Sequence, residues 1–363
     1  MPAASDASPG VRPPIYRHRD ALVIPIVLAV LGLYFNHGGR LPVPGAFGKV
    51  DVGSGQATFN QWIWTAAIAV SFYFVFGLAG RFAFSTAAIV GVGAYVSAYV
   101  TRSGNNAVVG IVAAALVCGV LGYVFAVLMR QANHFYFAVA TLGLSEILLV
   151  ILTRWHRLSG STTGEISGVA DVDLFGFVFD SRTRQFWLLL GFLAAVLVVG
   201  YLLERSPLRR DAIAARDDPV LADSLGVRSH RVGIAIFTLG AVIAGIAGAL
   251  YVHTRGFASP ETFGINLGLG VFVVLILGGM HSLWGALVGA WFYIYVPLYL
   301  GRWEEWSQVV WGLVLLVVMI VLPTGLIGVW QRVVGHRIGT TNPVAERVRD
   351  LVGSLPGHAG GGP

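Results

Sequence analysis

Ten apolar runs dominate the chain, at approximately residues 21–36, 60–79, 82–100, 107–129, 134–152, 186–203, 232–252, 265–281, 284–300 and 308–322. Several approach the ~20 residues needed to cross the hydrocarbon of a bilayer. Within lipid each backbone N–H and C=O must be satisfied inside its own segment, so runs of this length are expected to be helices. Composition agrees: 56% of residues are hydrophobic and 12% are charged, about half the charge of a soluble domain. The expected fold is all-α, a polytopic transmembrane helical bundle of about 8–10 spans. The range is open because 82–100 is interrupted by Ser85, Thr86, Gly91 and Gly93, and 265–281 is punctuated by glycine. Either run could be a broken or re-entrant helix.

Polar segments divide the chain into a polar N-terminus (1–20), a membrane domain (21–330) and a polar tail (331–363) expected to be largely disordered. The apolar run after residue 20 lacks a small-residue cleavage pattern and reads as an uncleaved first span. With ten spans and the N-terminus inside, fifteen basic side chains fall on the inner side and nine on the outer. That bias puts both termini and the polar island at 206–231 in the cytoplasm. The loop 153–185 then lies outside, with turns in its first part and a short strand pair or half-buried amphipathic piece at 171–180. It is either a cover for the outer mouth or a plain connector.

Several chemistries are missing. The one lysine, Lys49, stands in no phosphate-binding loop, so ATP hydrolysis by that route is excluded. There is no H-E-x-x-H, no paired cysteine motif and no G-x-S-x-G. Cys118 is alone in an apolar run, so no intrachain disulfide forms. His253 and His281 stand at the ends of runs and read as hydrogen-bonded residues, with no metal site expected. Neither catalysis nor a cofactor is expected of this chain.

The island SPLRRDAIAARDDPVLADSLGVRSHR interrupts two apolar runs and, with Arg205, carries six arginines. It reads as two short helices. Ser206 can cap the first, with Pro207 at its first position. Asp218 can cap the second, with Pro219 in the same place and Gly226 just past the end. Leu221 and Leu225 share one face. Such a capped helix with a small apolar face reads as a docking element. Within the runs, Glu146 is the one clear charge at membrane depth. Thr141 and Ser145 share a face with Glu146 adjacent, which marks a translocation path or gate, or else a structural pair for Glu146. Gly240, Ala244 and Gly248 repeat every four residues, as do Ala241, Gly245 and Ala249. Gly285 and Gly289 form a further pair, and such small-residue faces mark tight helix contact.

Four stretches, in order and spacing, resemble the membrane-spanning subunits of branched-chain amino acid ABC importers (LIV-type permeases, of the M-subunit kind). They are GLAG (77–80) with GVGAYVSA (91–98); FYFAVATLGLSEI (135–147) with LSGSTTGEISGV (158–169); PLRRDAIAARDDPVLADSLGV (207–227); and AGIAGALYVHTRGFASPETFG (244–264) with LGGM (277–280) and LPTGLIG (322–328). The resemblance covers roughly 70–330 and adds Gly77 and Gly80 to the packing glycines. It implies an inner-membrane permease subunit paired with a second, homologous permease, two cytoplasmic ATPase subunits that bind the ATP, and an extracytoplasmic solute-binding protein, with no nucleic-acid role. On that reading Arg216, Asp217, Asp218, Leu221, Ala222, Leu225 and Gly226, within the loop 204–231, couple to the ATPase. The solute would be a branched-chain amino acid or a related urea, amide or carboxylate. Arg81, Met280-His281-Ser282 and Ser161 depart from the family pattern and leave that choice open. The other reading is a stand-alone secondary transporter or channel for a small polar solute.

Overall fold

The computed structural model describes residues 55–129, 132, 134–155, 161–174, 177–300, 307–321 and 325–328. The run at 21–36, the polar N-terminus, parts of the loop 153–185 and the tail 331–363 lie outside the described residues. The other nine apolar runs are all helical.

Helix α1 (Gly55–Tyr73) runs into a π-helical turn, Phe74–Leu78, and α2 spans Ser85–Arg102. They are followed by α3 (Ala107–Leu128) and α4 (His134–Arg154). Two minimal strands, β1 (Ile166–Ser167) and β2 (Asp173–Leu174), precede β3 (Phe177–Val178). Next come α5 (Arg182–Arg205), α6 (Pro207–Asp217), α7 (Pro219–Ser224) and α8 (Ser229–Arg255). After β4 (Phe257–Ala258) and a 3₁₀ turn at Pro260–Phe263 come α9 (Ile265–Gly278), α10 (Leu283–Leu300) and α11 (Ser307–Val321). Among the described residues, six stretches are long and apolar enough to cross a membrane: Ala57–Leu78, Ala107–Leu128, Tyr136–Arg154, Arg182–Arg205, Ser229–Arg255 and Pro260–Gly278. This is an all-α polytopic membrane bundle.

The irregular backbone expected inside 82–100 and 265–281 falls just ahead of each helix instead. The first irregularity is the π turn and Gly80 at φ +65°; the second is the 257–264 segment. From Ser85 and Ile265 onward both helices are continuous.

The glycines of 82–100 do not break α2; they let other helices approach it. A Cβ on Gly93 would collide with the backbone of Gly245, and one on Gly248 with the carbonyl of Val90. On its other side α8 meets α3, where Gly245 faces Cys118 and Gly122 faces Ala241. The small-residue ladders of α8 are therefore used within the chain, against α2 and α3 and, at Gly240, against Ser71 of α1. Gly285 and Gly289 meet the backbone of α9 at Gly278 and Val274 in the same way. Helix α1 is almost wholly enclosed, whereas α3, α4 and α5 turn apolar outer faces away from the core. Gly248→Val is expected to lower the unfolding midpoint of the purified protein by overpacking, a cost of about 1–3 kcal/mol or more. An unchanged midpoint would refute the close α2–α8 contact.

Residues 161–174 are bound to the bundle end opposite the polar island. Strand β1 pairs antiparallel with β4, Ile166 opposite Ala258, and β2 pairs with β3 as the expected strand pair. Tyr95 donates to the Gly164 carbonyl at 2.6 Å and Arg102 to that of Ser167 at 3.0 Å. Buried His253 bridges Ser97 (2.9 Å) and the Ala170 carbonyl (2.7 Å). That histidine is a hydrogen-bonded strut between helix and loop.

Candidate functional site

At the other end of the bundle the island folds into α6 and α7, and each short helix has an identifiable stop and start. Pro207 opens α6 from Ser206, but the Ser206 hydroxyl does not cap it. It donates to the Leu203 carbonyl at 2.7 Å. Carbonyls in the last turn of α5 lack a regular helical donor, and the hydroxyl joins the Ser206 N–H (3.1 Å) on one of them. Asp218 does cap α7, accepting from Val220 N (3.0 Å) and Leu221 N (2.9 Å), with Pro219 at the first position. Gly226, at φ +87°, supplies the left-handed turn after it, a backbone state costly for other residues. A contact absent from the sequence reading closes the unit. The Asp223 carboxylate accepts from Ser229 N at 3.0 Å, which ties α7 to the start of α8 and holds that carboxyl below its ordinary pKa.

The seven island residues named from sequence separate into four groups. Ala222 is buried beneath α7. Leu221 and Leu225 are 56% and 76% exposed, and Val220, which sequence reasoning passed over, is 79% exposed. Together they form an apolar ridge with no counterpart in the chain among the described residues. Asp218 and Gly226 shape the backbone under that ridge. Arg216 and Asp217 form the fourth group, and Arg216 points inward. Its Nη1 donates to the Gly77 carbonyl at 2.8 Å, while its Nε and Nη2 reach Asp217 Oδ1, each at 3.0 Å. Its stem packs over Gly80. Arg216 therefore clamps α6 to the π turn that ends the enclosed helix α1. Gly80 is a turn residue under this arginine, whereas Gly77 packs against the backbone of Met280.

More groups collect around this clamp. Tyr73 donates to Glu204 Oε1 at 2.9 Å, joining α1 to the end of α5. His281 sits near Arg216; burial first, then the Arg216 charge, lowers its pKa, and Asp217 opposes the shift. Arg81 is half-buried with its guanidinium 5.2 Å above the Phe137 ring. Phe76 meets Phe82 edge to face (5.3 Å) and Phe272 at a tilt (5.2 Å), so aromatic contacts seat the 79–84 turn on α9. Their isolated positions in sequence gave no period by which to find them.

The structure divides the trio Thr141, Ser145 and Glu146. Thr141 and Ser145 are buried; Thr141 accepts from Phe84 N at 3.2 Å and donates to the Ala138 carbonyl at 2.8 Å, fastening α4 to the same turn. Glu146 is on the exposed side of α4 with Gly143 and Ile147. The expected structural pair for Glu146 is not present: among the described residues it has neither an ion pair nor a hydrogen bond. At 3.6 residues per turn, one step along the helix rotates a side chain by roughly 100°, enough to move it from core to surface.

Residues 57–322 match the family model for the branched-chain amino acid transport system / permease component. The chain belongs to this permease family. Among curated proteins, the permease is 29% identical to the high-affinity branched-chain amino acid transport system permease protein LivM of Salmonella typhimurium over 238 residues, 59% of this chain and 56% of LivM. It is 26% identical to LivH of Escherichia coli over 292 residues, 72% of this chain and 91% of LivH. It is also 31% identical to the autoinducer 2 import system permease protein LsrC of Klebsiella pneumoniae over 196 residues, covering 50% and 54%. The permease thus spans a little over half the length of the LivM proteins it matches. No solved structure matches it.

Proposed function

We propose that this permease is the membrane-spanning subunit of an ATP-binding-cassette importer in the bacterial inner membrane, with both termini cytoplasmic. Separate cytoplasmic ATPase subunits bind the ATP, so the permease needs no cofactor of its own. The single observation that carries the reading is the exposed ridge Val220–Leu221–Leu225. It stands on a capped, glycine-terminated helix that Arg216 connects to the innermost span. An apolar ridge on a rigid mount is suited to a hydrophobic groove in a partner. Closure of two ATPase subunits would push α7, and the clamp would carry the displacement to the π turn and α1.

Its other partners on this reading are a second, homologous permease and an extracytoplasmic solute-binding protein. The names of LivM and LivH favour a branched-chain amino acid as the solute, and LsrC shows that relatives serve other small molecules. Reconstitution tests the class. Vesicles holding the permease, its permease partner and both ATPase subunits should accumulate leucine, delivered by the binding protein, only with ATP inside.

Glu146 favours a second reading, an ion-coupled carrier, because a carboxylate within an apolar span, without a partner among the described residues, is costly unless it works. Leucine uptake by the permease alone, driven by a proton or sodium gradient, would establish that reading and refute the importer.

A further inference from the structure

Helix α6 turns one face to the bundle, and Arg209, Ala212 and Arg216 share it by helical spacing. Ala212 is buried at the middle of that face. Arg216, at the far end, is seated on the Gly77 carbonyl at 2.8 Å. Arg209 lies about two turns nearer α5 and has no such seat. Its Nε is shielded from solvent without a hydrogen-bond partner, and among the described residues its guanidinium forms no ion pair. A shielded N–H on a cation is costly to leave without an acceptor.

The acceptor that matches it is Glu204, whose carboxylate already feels the Arg209 charge although the two are not in ion-pair contact. In this structure Glu204 serves other elements. Tyr73, the last residue of α1, donates to Oε1 at 2.9 Å, and the Leu283 N–H at the start of α10 adds a backbone bond. A carboxylate offers about four lone-pair sites, so two donors leave room for a guanidinium. Because the Arg209 Nε is already packed among its neighbours, the gap closes by movement of α6 and not by a swing of the side chain through solvent.

We propose that α6 is a rocker with two anchors, in which Arg209 and Glu204 are positioning residues. In the position described here Arg216 is seated on Gly77 and Arg209 is open. When α6 tilts about Ala212, Arg209 closes on Glu204 as Arg216 leaves Gly77. Each position satisfies one guanidinium, so each is a discrete state and the tilt is a two-state change. The anchors lie on different elements: Gly77 is in the π turn below α1, whereas Glu204 ends α5 and is tied to α1 and α10. A push on α7 thus reaches the π turn first as strain on the Gly77 bond and then as its release. The rocker deepens the importer reading and takes from it only the push that drives the tilt.

The test reads the position of α6 in the full-length permease alone, in nanodiscs, by pulsed electron paramagnetic resonance. Spin labels go on Ala214→Cys, on the exposed side of α6, and on Val112→Cys, on the exposed side of α3. Cys118, the one native cysteine, is buried and stays unlabelled. Arg216→Ala empties the first anchor. The expected result is one sharp, displaced distance, shifted by about 1–2 Å, the size of helix shifts at packed interfaces. Glu204→Gln keeps an acceptor for Tyr73 and Leu283 but removes the charge, and Arg209→Gln removes the cation. Adding either to Arg216→Ala should abolish the displaced peak, whereas a merely loosened helix would ignore both. An unmoved α6 in Arg216→Ala shows that there is no second anchor and overturns the rocker. The same displaced peak with either added substitution shows that no ion pair holds it and does likewise. Both failures leave the importer reading standing, because no ATPase enters the measurement. Absence of ATP-driven uptake in the reconstituted system overturns that reading without altering these distances.

Discussion

Leu221→Asp is expected to abolish ATP-driven uptake while the bundle stays inserted and folded. Leu221 is more than half exposed and makes its apolar contribution outward from α7. Helix α7 itself is held by the Asp218 cap, by Gly226 and by Asp223 on Ser229, and none of these uses the Leu221 side chain. The permease alone should therefore show unchanged thermal stability. In the proposed complex the same side chain is buried in a partner groove, where a leucine contributes about 1.5–3 kcal/mol, or ~10–100-fold in Kd. A carboxylate in that groove adds its desolvation cost. ATPase subunits should no longer co-purify with the variant. Leu225→Asp should behave alike, because it extends the same ridge. Retention of the ATPase by both variants would show that α7 is not the contact.

Arg216→Ala is expected to give the opposite separation, with ATPase binding kept and transport lost. The guanidinium lies on the inner side of the island, away from the ridge, and its best-defined bond is to the Gly77 carbonyl. A charge-assisted bond of this kind is worth about 1.5–3 kcal/mol, and removing it leaves that carbonyl without its donor. The ridge should still find its partner, but movement of α6 would no longer reach the π turn. Leucine uptake should fall at least ~10-fold, as for loss of one such bond, while ATP hydrolysis continues. Arg216→Lys should restore little, since an ammonium cannot span the Gly77 carbonyl and Asp217 with the fork of a guanidinium. Normal uptake in the alanine variant would remove Arg216 from the pathway of coupling. Loss of ATPase binding would make it a mere support for the island.

Helix positions were plain in the sequence because lipid imposes a minimum length and an almost uncharged composition on any span. The caps of α7 were equally plain, since Asp218-Pro219 and Gly226 act on their own backbone and need no distant partner. The same local reasoning misread Ser206, whose hydroxyl had two helix ends within reach and took the carbonyl of the preceding one. The ladders of α8 were readable as contact surfaces. Their partners on α2 and α3 were not, because glycine and alanine carry no mark of what they touch.

Facing is where sequence reasoning stopped. In a soluble helix a polar stripe separates inside from outside; in these spans both sides are apolar, so periodicity is nearly silent. Thr141 and Glu146 thus read as neighbours, yet one is buried against the 79–84 turn and the other is open. The 82–100 run looked like a span with breaks, and from Ser85 onward it is a continuous helix enclosed by its neighbours. Sequence alone determined that this is a membrane bundle with one capped polar island, because chain length, charge and cap chemistry are local quantities. Only the tertiary structure decided that the island presents leucines outward and sends Arg216 to Gly77, 139 residues earlier in the chain. A long, flexible cation can serve a surface or a distant carbonyl equally well, and only the packed helices bring that carbonyl within its reach.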